Sequence, residues 1–272
     1  MKIASYNVMS GGFEQYDASL ESPTRMHLIQ EAVKTINSDV VGLVDTYRWD
    51  EIYSTDDLIQ LFGYPFVACI NLNDERLRKL GHNNGLTLLS KYKLVEVSAM
   101  KIATRDALSA TVEGPNGKLA IVLLYLDDLS EEARLKQTEA LLSQVQQMEP
   151  TVIIGDFNTF RTEDGTLERQ ALRSLKDENP QLLPKLNPII ADMAKGEVIK
   201  QFEKAGFKDG GVASLPTFPT QLFPAKLNEP SLRLDYVMAS SRVKISNFRV
   251  PNDTLYHRAS DHLPIVFDAK LS

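Results

Sequence analysis

Cysteine is nearly absent from this chain. Cys69 is the single one in 272 residues, so no internal disulfide holds the fold and a reducing, cytoplasmic setting is the expectation. It lies in the strand-like run Phe66-Val67-Ala68-Cys69-Ile70, where a buried small hydrophobe is the expected role. No run approaches the roughly 18 apolar residues of a membrane span. The opening Met1-Lys2-Ile3-Ala4-Ser5-Tyr6-Asn7 lacks the apolar core of a signal peptide and reads as a strand. Repeats and low-complexity tracts are missing. So are dense basic runs: the net charge is −6, and Arg76-Leu77-Arg78-Lys79 and Lys91-Tyr92-Lys93 read as solvated loops. That balance weighs against duplex nucleic acid, although a carboxylate-rich metal site adds negative charge of its own.

What is present is an ordinary globular composition, 43% hydrophobic and 24% charged, long enough for one large α/β domain over residues 1–272. Runs rich in Val, Ile and Leu predict strands at 2–8, 39–44, 65–70, 85–90, 94–101, 107–113, 118–126, 151–155, 233–239, 242–249 and 263–269. Pro115-Asn116-Gly117 marks a hairpin turn. Helices are expected at 23–37, 54–62, 130–148 and 196–205, the third capped by Ser130, with Leu135, Leu141, Leu142 and Val145 as its apolar face. Strands outnumber helices and do not alternate βα, which predicts two mixed β-sheets packed face to face with helices outside, an α/β/β/α sandwich in four layers. Residues 159–200 read as an irregular insertion, partly helical around 166–176 and 188–195, and 211–231 as a second long loop with Phe218 and Phe223. Both are expected to shape a pocket.

Four short polar segments abut these apolar runs: Ser5-Tyr6-Asn7, Gly155-Asp156-Phe157-Asn158, Leu234-Asp235-Tyr236 and Ser260-Asp261-His262. Such residues at strand ends add little to a core. Gathered at one sheet edge they would make a site for a hard cation and a phosphate. Hydrolysing a phosphoester calls for a divalent cation, a positioned water and stabilisation of the charge that develops.

With Asp39-Val40-Val41-Gly42-Leu43-Val44 leading to Asp45, and with Ser260-Asp261-His262-Leu263-Pro264 following Gly155-Asp156-Phe157-Asn158 in order, the chain resembles the endonuclease/exonuclease/phosphatase superfamily over nearly its whole length. That group contains bacterial exonuclease III, deoxyribonuclease I, neutral sphingomyelinases and inositol polyphosphate phosphatases. The resemblance implies that His262 contacts the scissile phosphate, that Asp235 orients its ring, and that Asp156 holds the attacking water or assists the leaving group. It further implies that Asn158 bonds a phosphate oxygen and that Asn7, Asp45 and Asp261 surround Mg²⁺ or Mn²⁺. Two positions depart from the pattern. The superfamily has Glu where this chain has Asp45. Many relatives have His where this chain has Tyr125, in Leu124-Tyr125-Leu126-Asp127, and a phenol offers one neutral donor.

Structural roles stand beside these. Asp156 and Asn158 also suit an Asx turn, Tyr125 a core aromatic, and Arg105 a solvated arginine or a phosphate contact. Trp49 reads as pocket lining or as packing under a loop. His27, His82 and His257 receive no role. The sequence therefore predicts a monomeric metal-dependent phosphoesterase using Tyr125, Asp156, Asn158, Asp235 and His262. Its substrate is a small phosphoester, a lipid head group or a nucleic acid, the last if its groove is basic. The alternative is a non-catalytic relative that kept the fold for binding.

Overall fold

Alternate residues of each apolar run face opposite sides of a strand, so a run that is buried throughout needs cover on both faces. Val40–Val44 and Thr151–Asp156 are buried at every position, which places both in the interior of their sheets. The computed structural model describes residues 1–17, 19–146, 148, 150–161, 181, 183–223 and 231–272. Its strands are β1 (Lys2–Asn7), β2 (Val40–Val44), β3 (Phe66–Asn71), β4 (Gly85–Ser90), β5 (Leu94–Ile102), β6 (Arg105–Gly114), β7 (Gly117–Tyr125), β8 (Thr151–Asp156), β9 (Lys208–Asp209), β10 (Asp235–Ala239), β11 (Val243–Arg249) and β12 (Ile265–Leu271). They form two mixed six-stranded sheets, ordered β11-β12-β1-β2-β4-β3 and β5-β6-β7-β8-β10-β9. The helices are α1 (Met26–Ile36), α2 (Trp49–Ile52), α3 (Thr55–Phe62), α4 (Glu75–Lys79), α5 (Glu131–Val145), α6 (Leu183–Met193), α7 (Glu197–Lys204) and α8 (Thr254–Ala259).

Between the sheets lie Ile3, Val40, Val44, Leu86 and Leu88 from one and Leu108, Leu123, Val152, Ile154 and Val237 from the other. The outer face of the first sheet, with Ala4, Tyr6, Val41 and Leu43, packs on α1 and α8. The outer face of the second, with Val122, Leu124, Ile153 and Met238, packs on α5 and α7. The layers are therefore helix, sheet, sheet, helix, as expected. Gly42 belongs at the closest approach of the sheets, because a Cβ there would meet Leu123 Cδ1 at 2.7 Å.

The predicted strands and the four predicted helices form within a few residues of their expected limits. The segment 166–176 lies outside the described residues, while α6 overlaps the expected 188–195 helix. The basic run Arg76–Lys79 is not a solvated loop. It sits in α4, capped by Asp74, with Arg76 paired to Asp128 at 2.5 Å. In α5 the first half of the buried face is polar, and Leu135 is only partly buried. Glu131 explains this: its Oε1 accepts from Glu197 N (2.9 Å) and Val198 N (3.3 Å) at the start of α7, and its Oε2 pairs with Arg134 at 2.8 Å. The β6–β7 hairpin turns on Pro115 and Asn116, with the positive φ (119°) falling on Gly117. Cys69 is half-buried, accepts from the Thr87 hydroxyl at 3.2 Å, and has its thiol pushed up to about 11 by burial, which makes it unreactive.

Candidate active site

The inward parity of the strands, carried to their ends, assembles the site. In β1, Ile3 faces the inter-sheet core and so, two pleats later, does the register position of Asn7. The same counting brings Tyr125 of β7, Asp156 of β8 and Asp235 of β10 to the inner face. β7 and β8 run parallel with Tyr125 opposite Asp156, and antiparallel β10 begins with Asp235 opposite Asp156. β1 and β2 run parallel and end at Asn7 and Val44, one residue before Asp45. β12 enters antiparallel to β1, so the preceding Ser260-Asp261-His262 arrives at the same end.

Gly155 lets the β8 end form. Its φ is 139°, and a Cβ there would stand 2.0 Å from the Leu124 carbonyl oxygen, so no other residue fits before Asp156. Asn158 then takes a positive φ of 48°, with its N–H donating to Asp156 Oδ1 at 2.9 Å. This is the Asx turn expected from the sequence. The Asn158 side-chain nitrogen donates to Leu126 O at 3.0 Å, which ties the β8 end to the β7 end.

His262 lies between two carboxylates. Its Nδ1 is 2.9 Å from Asp235 Oδ2, and its Nε2 is 3.7 Å from Asp156 Oδ2. The first separation is a hydrogen bond and the second is not. Asp235 is fully buried and Asp156 is 1% exposed. Burial alone would lower the imidazole, but Asp235, Asp156 and Asp261 outweigh it and raise His262 to about 10. Asp156 is raised to about 7 by burial, against the pull of His262. The Phe218 ring packs on His262 with centroids 4.8 Å apart. Thr217 Oγ1 accepts from the Asp235 N–H at 3.2 Å, and Thr220 N donates to Asp261 O at 2.8 Å, so these two residues of the second long loop brace the site. Ser260 Oγ donates to Asn7 O at 2.6 Å and joins the β12 approach to β1.

Asn7 donates from Nδ2 to Asp156 Oδ2 at 3.1 Å and accepts from Met9 N at Oδ1 (3.0 Å). Asp45 has a left-handed backbone (φ 60°) and is 2% exposed. Its Oδ2 accepts from Ser10 N at 2.8 Å and Tyr16 Oη at 2.5 Å, and its Oδ1 from Asn84 Nδ2 at 2.6 Å. Burial raises Asp45 to about 7, with the charge of Asp261 adding to the effect. Burial raises Asp261 as well.

Among the described residues, no group of three or more His, Cys, Asp or Glu side chains is placed to hold a metal ion. A small hard cation asks for less: one or two carboxylates, with water and substrate oxygens completing the shell. The donors here are hard oxygens. The Asp261 charge acts on Asp45, and Asn84 Oδ1 is a buried acceptor without a hydrogen-bond partner beside it. Those features fit a divalent cation at Asp45 and Asp261.

Tyr125 is raised well above the usual phenol range by burial, with Asp45 adding to the effect, so it is a neutral donor. Arg105 is neither solvated nor directed at a phosphate. It is fully buried and donates to Asp74 Oδ2 (2.7 Å), Asp128 Oδ1 (2.9 Å) and the carbonyls of Tyr125 (3.1 Å) and Leu126 (2.6 Å), with its guanidinium 5.0 Å from the Tyr125 ring centroid. Trp49 takes the packing role: it is buried, stacks on Phe62 and donates to Gly11 O at 2.9 Å. His82 stacks on Tyr16, while His27 is exposed.

Sequence reasoning missed Tyr16, Asn84, Arg25 and Thr217. Arg25 ties the β1–α1 connection to the end of α8, donating to Ala259 O, to Met9 O (2.7 Å) and to Phe13 O (2.8 Å). Nothing in the local pattern marks these residues, because each acts through a partner distant in sequence.

The comparisons with known proteins agree with this fold. A family model described as the Endonuclease/Exonuclease/phosphatase family matches residues 4–262. No curated protein sequence matches the chain. Among solved structures, the human Nocturnin catalytic domain with bound sulfate anion is 17% identical, with a TM-score of 0.65, over 100% of this chain and 93% of that one. The 3′ phosphatase from Neisseria bound to product DNA hairpin is 17% identical, with a TM-score of 0.64, over 100% of this chain and 99% of that one. The mannosyl-6-phosphatase of Bacteroides thetaiotaomicron is 14% identical, with a TM-score of 0.64, over 100% of both chains. At these identities the likeness to the solved structures is one of fold.

Proposed function

The chain belongs to the endonuclease/exonuclease/phosphatase family, and on that premise we propose that it is a divalent-metal-dependent phosphoesterase acting at the mouth between its two sheets. The observation that carries the reading is the Asp235–His262–Asp156 arrangement, a hydrogen bond of 2.9 Å on one side of the imidazole and an open 3.7 Å separation on the other.

Asp235 fixes the ring and keeps Nδ1 protonated. His262 is thus an imidazolium whose Nε2–H is free to donate to a phosphoryl oxygen as negative charge builds there. Asp156, held by Asn7 and the Asn158 N–H, accepts a hydrogen bond from a water and orients it, or assists the leaving oxygen. The separation between His262 and Asp156 leaves both groups able to serve substrate atoms instead of each other. Tyr125 donates from its neutral phenol, and Asn158 retains a second amide hydrogen for a phosphate oxygen. Mg²⁺ or Mn²⁺ at Asp45 and Asp261, with Asn7 nearby, would supply Lewis-acid neutralisation of the phosphate charge.

Fold relatives include a mannosyl-6-phosphatase and a 3′ phosphatase bound to DNA. The net charge of −6 favours a small phosphoester over duplex nucleic acid. No helix among the described residues is long and apolar enough to cross a membrane. A cytoplasmic, monomeric enzyme is part of the same proposal.

Purified protein is expected to hydrolyse bis-p-nitrophenyl phosphate or p-nitrophenyl phosphate with Mg²⁺ or Mn²⁺ added. His262→Ala and Asp156→Asn are expected to lose that activity. Turnover that persists in both variants contradicts the assignment.

A further inference from the structure

Asp45 follows the last residue of β2 in a left-handed conformation, so no regular backbone pairing fixes its side chain. Three donors from elsewhere do. Ser10 N sits in a single 3-10 turn (Ser10–Gly12) that is itself tied down by Gly11 N donating to Asp45 O at 2.7 Å. Asn84 immediately precedes β4. Both are held next to the strand ends by backbone hydrogen bonds, Gly11 N to Asp45 O and Leu72 N to Asn84 O at 2.9 Å. Tyr16 is different: it comes from a loop whose neighbours Glu14 and Gln15 are exposed.

Tyr16 is held over Asp45 by other rings. Its ring stacks on His82 with centroids 4.2 Å apart at 24°, and meets the edge of Tyr47 at 5.2 Å and 88°. Tyr47 in turn meets Phe13 edge-on at 5.6 Å. This bracket leaves the hydroxyl 2.5 Å from Asp45 Oδ2.

A carboxylate offers about four acceptor directions. Ser10 N and Tyr16 Oη take two on Oδ2, and Asn84 Nδ2 takes one on Oδ1. Among the described residues, one direction on Oδ1 is left. We propose that Tyr16 is a positioning residue that closes Oδ2 and restricts Asp45 to a single-oxygen contact with the cation, and that the Tyr16–His82 bracket thereby selects small octahedral ions over calcium. Mg²⁺ keeps most of its water and takes single carboxylate oxygens at short distance, whereas Ca²⁺ gains from more oxygens and from bidentate carboxylates. A hydrogen-bonding partner behind a metal ligand is typically worth about 10- to 100-fold in affinity. The inference rests on the metal-dependent reading above.

The test is calorimetric titration of the purified full chain with Mg²⁺ and with Ca²⁺, comparing wild type, Tyr16→Phe, His82→Ala and Asp45→Ala. Tyr16→Phe keeps the ring and its stacking, and a matching thermal melt verifies that it folds. The expected result is Mg²⁺ affinity about tenfold weaker in Tyr16→Phe, with Ca²⁺ affinity retained or increased, so that the Mg²⁺/Ca²⁺ preference falls by about tenfold or more. His82→Ala, which keeps the hydroxyl but removes the ring behind it, shifts the preference the same way by less. An unchanged preference in Tyr16→Phe, with Asp45→Ala binding neither ion, overturns the role of Tyr16 and leaves the metal site standing. A wild type that binds neither ion overturns the metal-dependent reading itself and this inference with it.

Discussion

Asn7 and Asp156 join the two sheets by a hydrogen bond of 3.1 Å, from the last residue of one sheet's β1 to the last residue of the other sheet's β8. Both side chains are nearly fully buried. The bond fixes which Asp156 oxygen faces His262, because Asn7 Nδ2 and His262 Nε2 both approach Oδ2. Asn7→Ala is expected to lower kcat about 10- to 100-fold, the worth of a hydrogen bond to a charged group. Steady-state kinetics at saturating metal checks this, and an unchanged kcat removes Asn7 from the account.

Stability should depend on pH in a direction set by the buried acids. Asp45 and Asp156 hold their protons up to about 7 in the folded protein, against an ordinary value of 3.8. The folded state therefore binds more protons than the unfolded chain in that window, and stability falls as pH rises through it. His262, raised from 6.5 to about 10, contributes stability that is complete below 6.5 and is lost as pH rises toward 10. All three act in one direction. The melting temperature of metal-stripped protein is expected to fall between about pH 5 and about pH 9. Asp45→Asn flattens the lower part of that profile, as does added Mg²⁺. A melting temperature that rises across the window contradicts the assignment of these charges.

Arg105 is predicted to be a stability residue first. Removing a fully buried cation leaves the buried Asp74 uncompensated, while Asp128 keeps Arg76, and breaking such a buried pair typically costs about 3–5 kcal/mol. Arg105→Met is expected to lose stability on that scale in urea denaturation. Because Arg105 also holds the Tyr125 carbonyl, the same variant should lose activity under conditions where it remains folded. A loss below about 1 kcal/mol would mean that the acids find other partners.

Tyr125→Phe keeps the ring above Arg105 and removes only the hydroxyl. A loss of about tenfold or more in kcat, with stability little changed, is the expected outcome if the phenol donates to the phosphoryl group. Equal kinetics for the two proteins would assign Tyr125 to packing alone.

The strand pattern was legible because β1, β2, β7 and β8 are largely apolar on both faces and run into polar residues, so the sandwich and the strand-end positions of Asn7, Asp156 and Asp235 could be read from the pattern, whereas Tyr125 and the roles given to all four came from the resemblance to the superfamily. The Asx turn at Asp156–Asn158 was legible for the same reason. Arg105 was misread because its partners Asp74 and Asp128 come from other loops, and a lone Arg beside a turn gives no sign that it will be buried. Tyr16 and Asn84 were invisible for a related reason: their partner is Asp45, 29 and 39 residues away, reached only once the loops at the sheet ends fold over one another. The Asp45 position showed as a departure in the sequence, and the structure adds what surrounds it.

The most direct test of the central claim is hydrolysis of a simple phosphoester in heavy-oxygen water, followed by phosphorus NMR of the product. Metal-dependent attack by a water held at Asp156 predicts one solvent-derived oxygen on the product's phosphoryl group with Mg²⁺ or Mn²⁺, and no product in the presence of a chelator or in His262→Ala. Solvent oxygen found in the released alcohol instead, or turnover indifferent to chelation and to loss of His262, would contradict it.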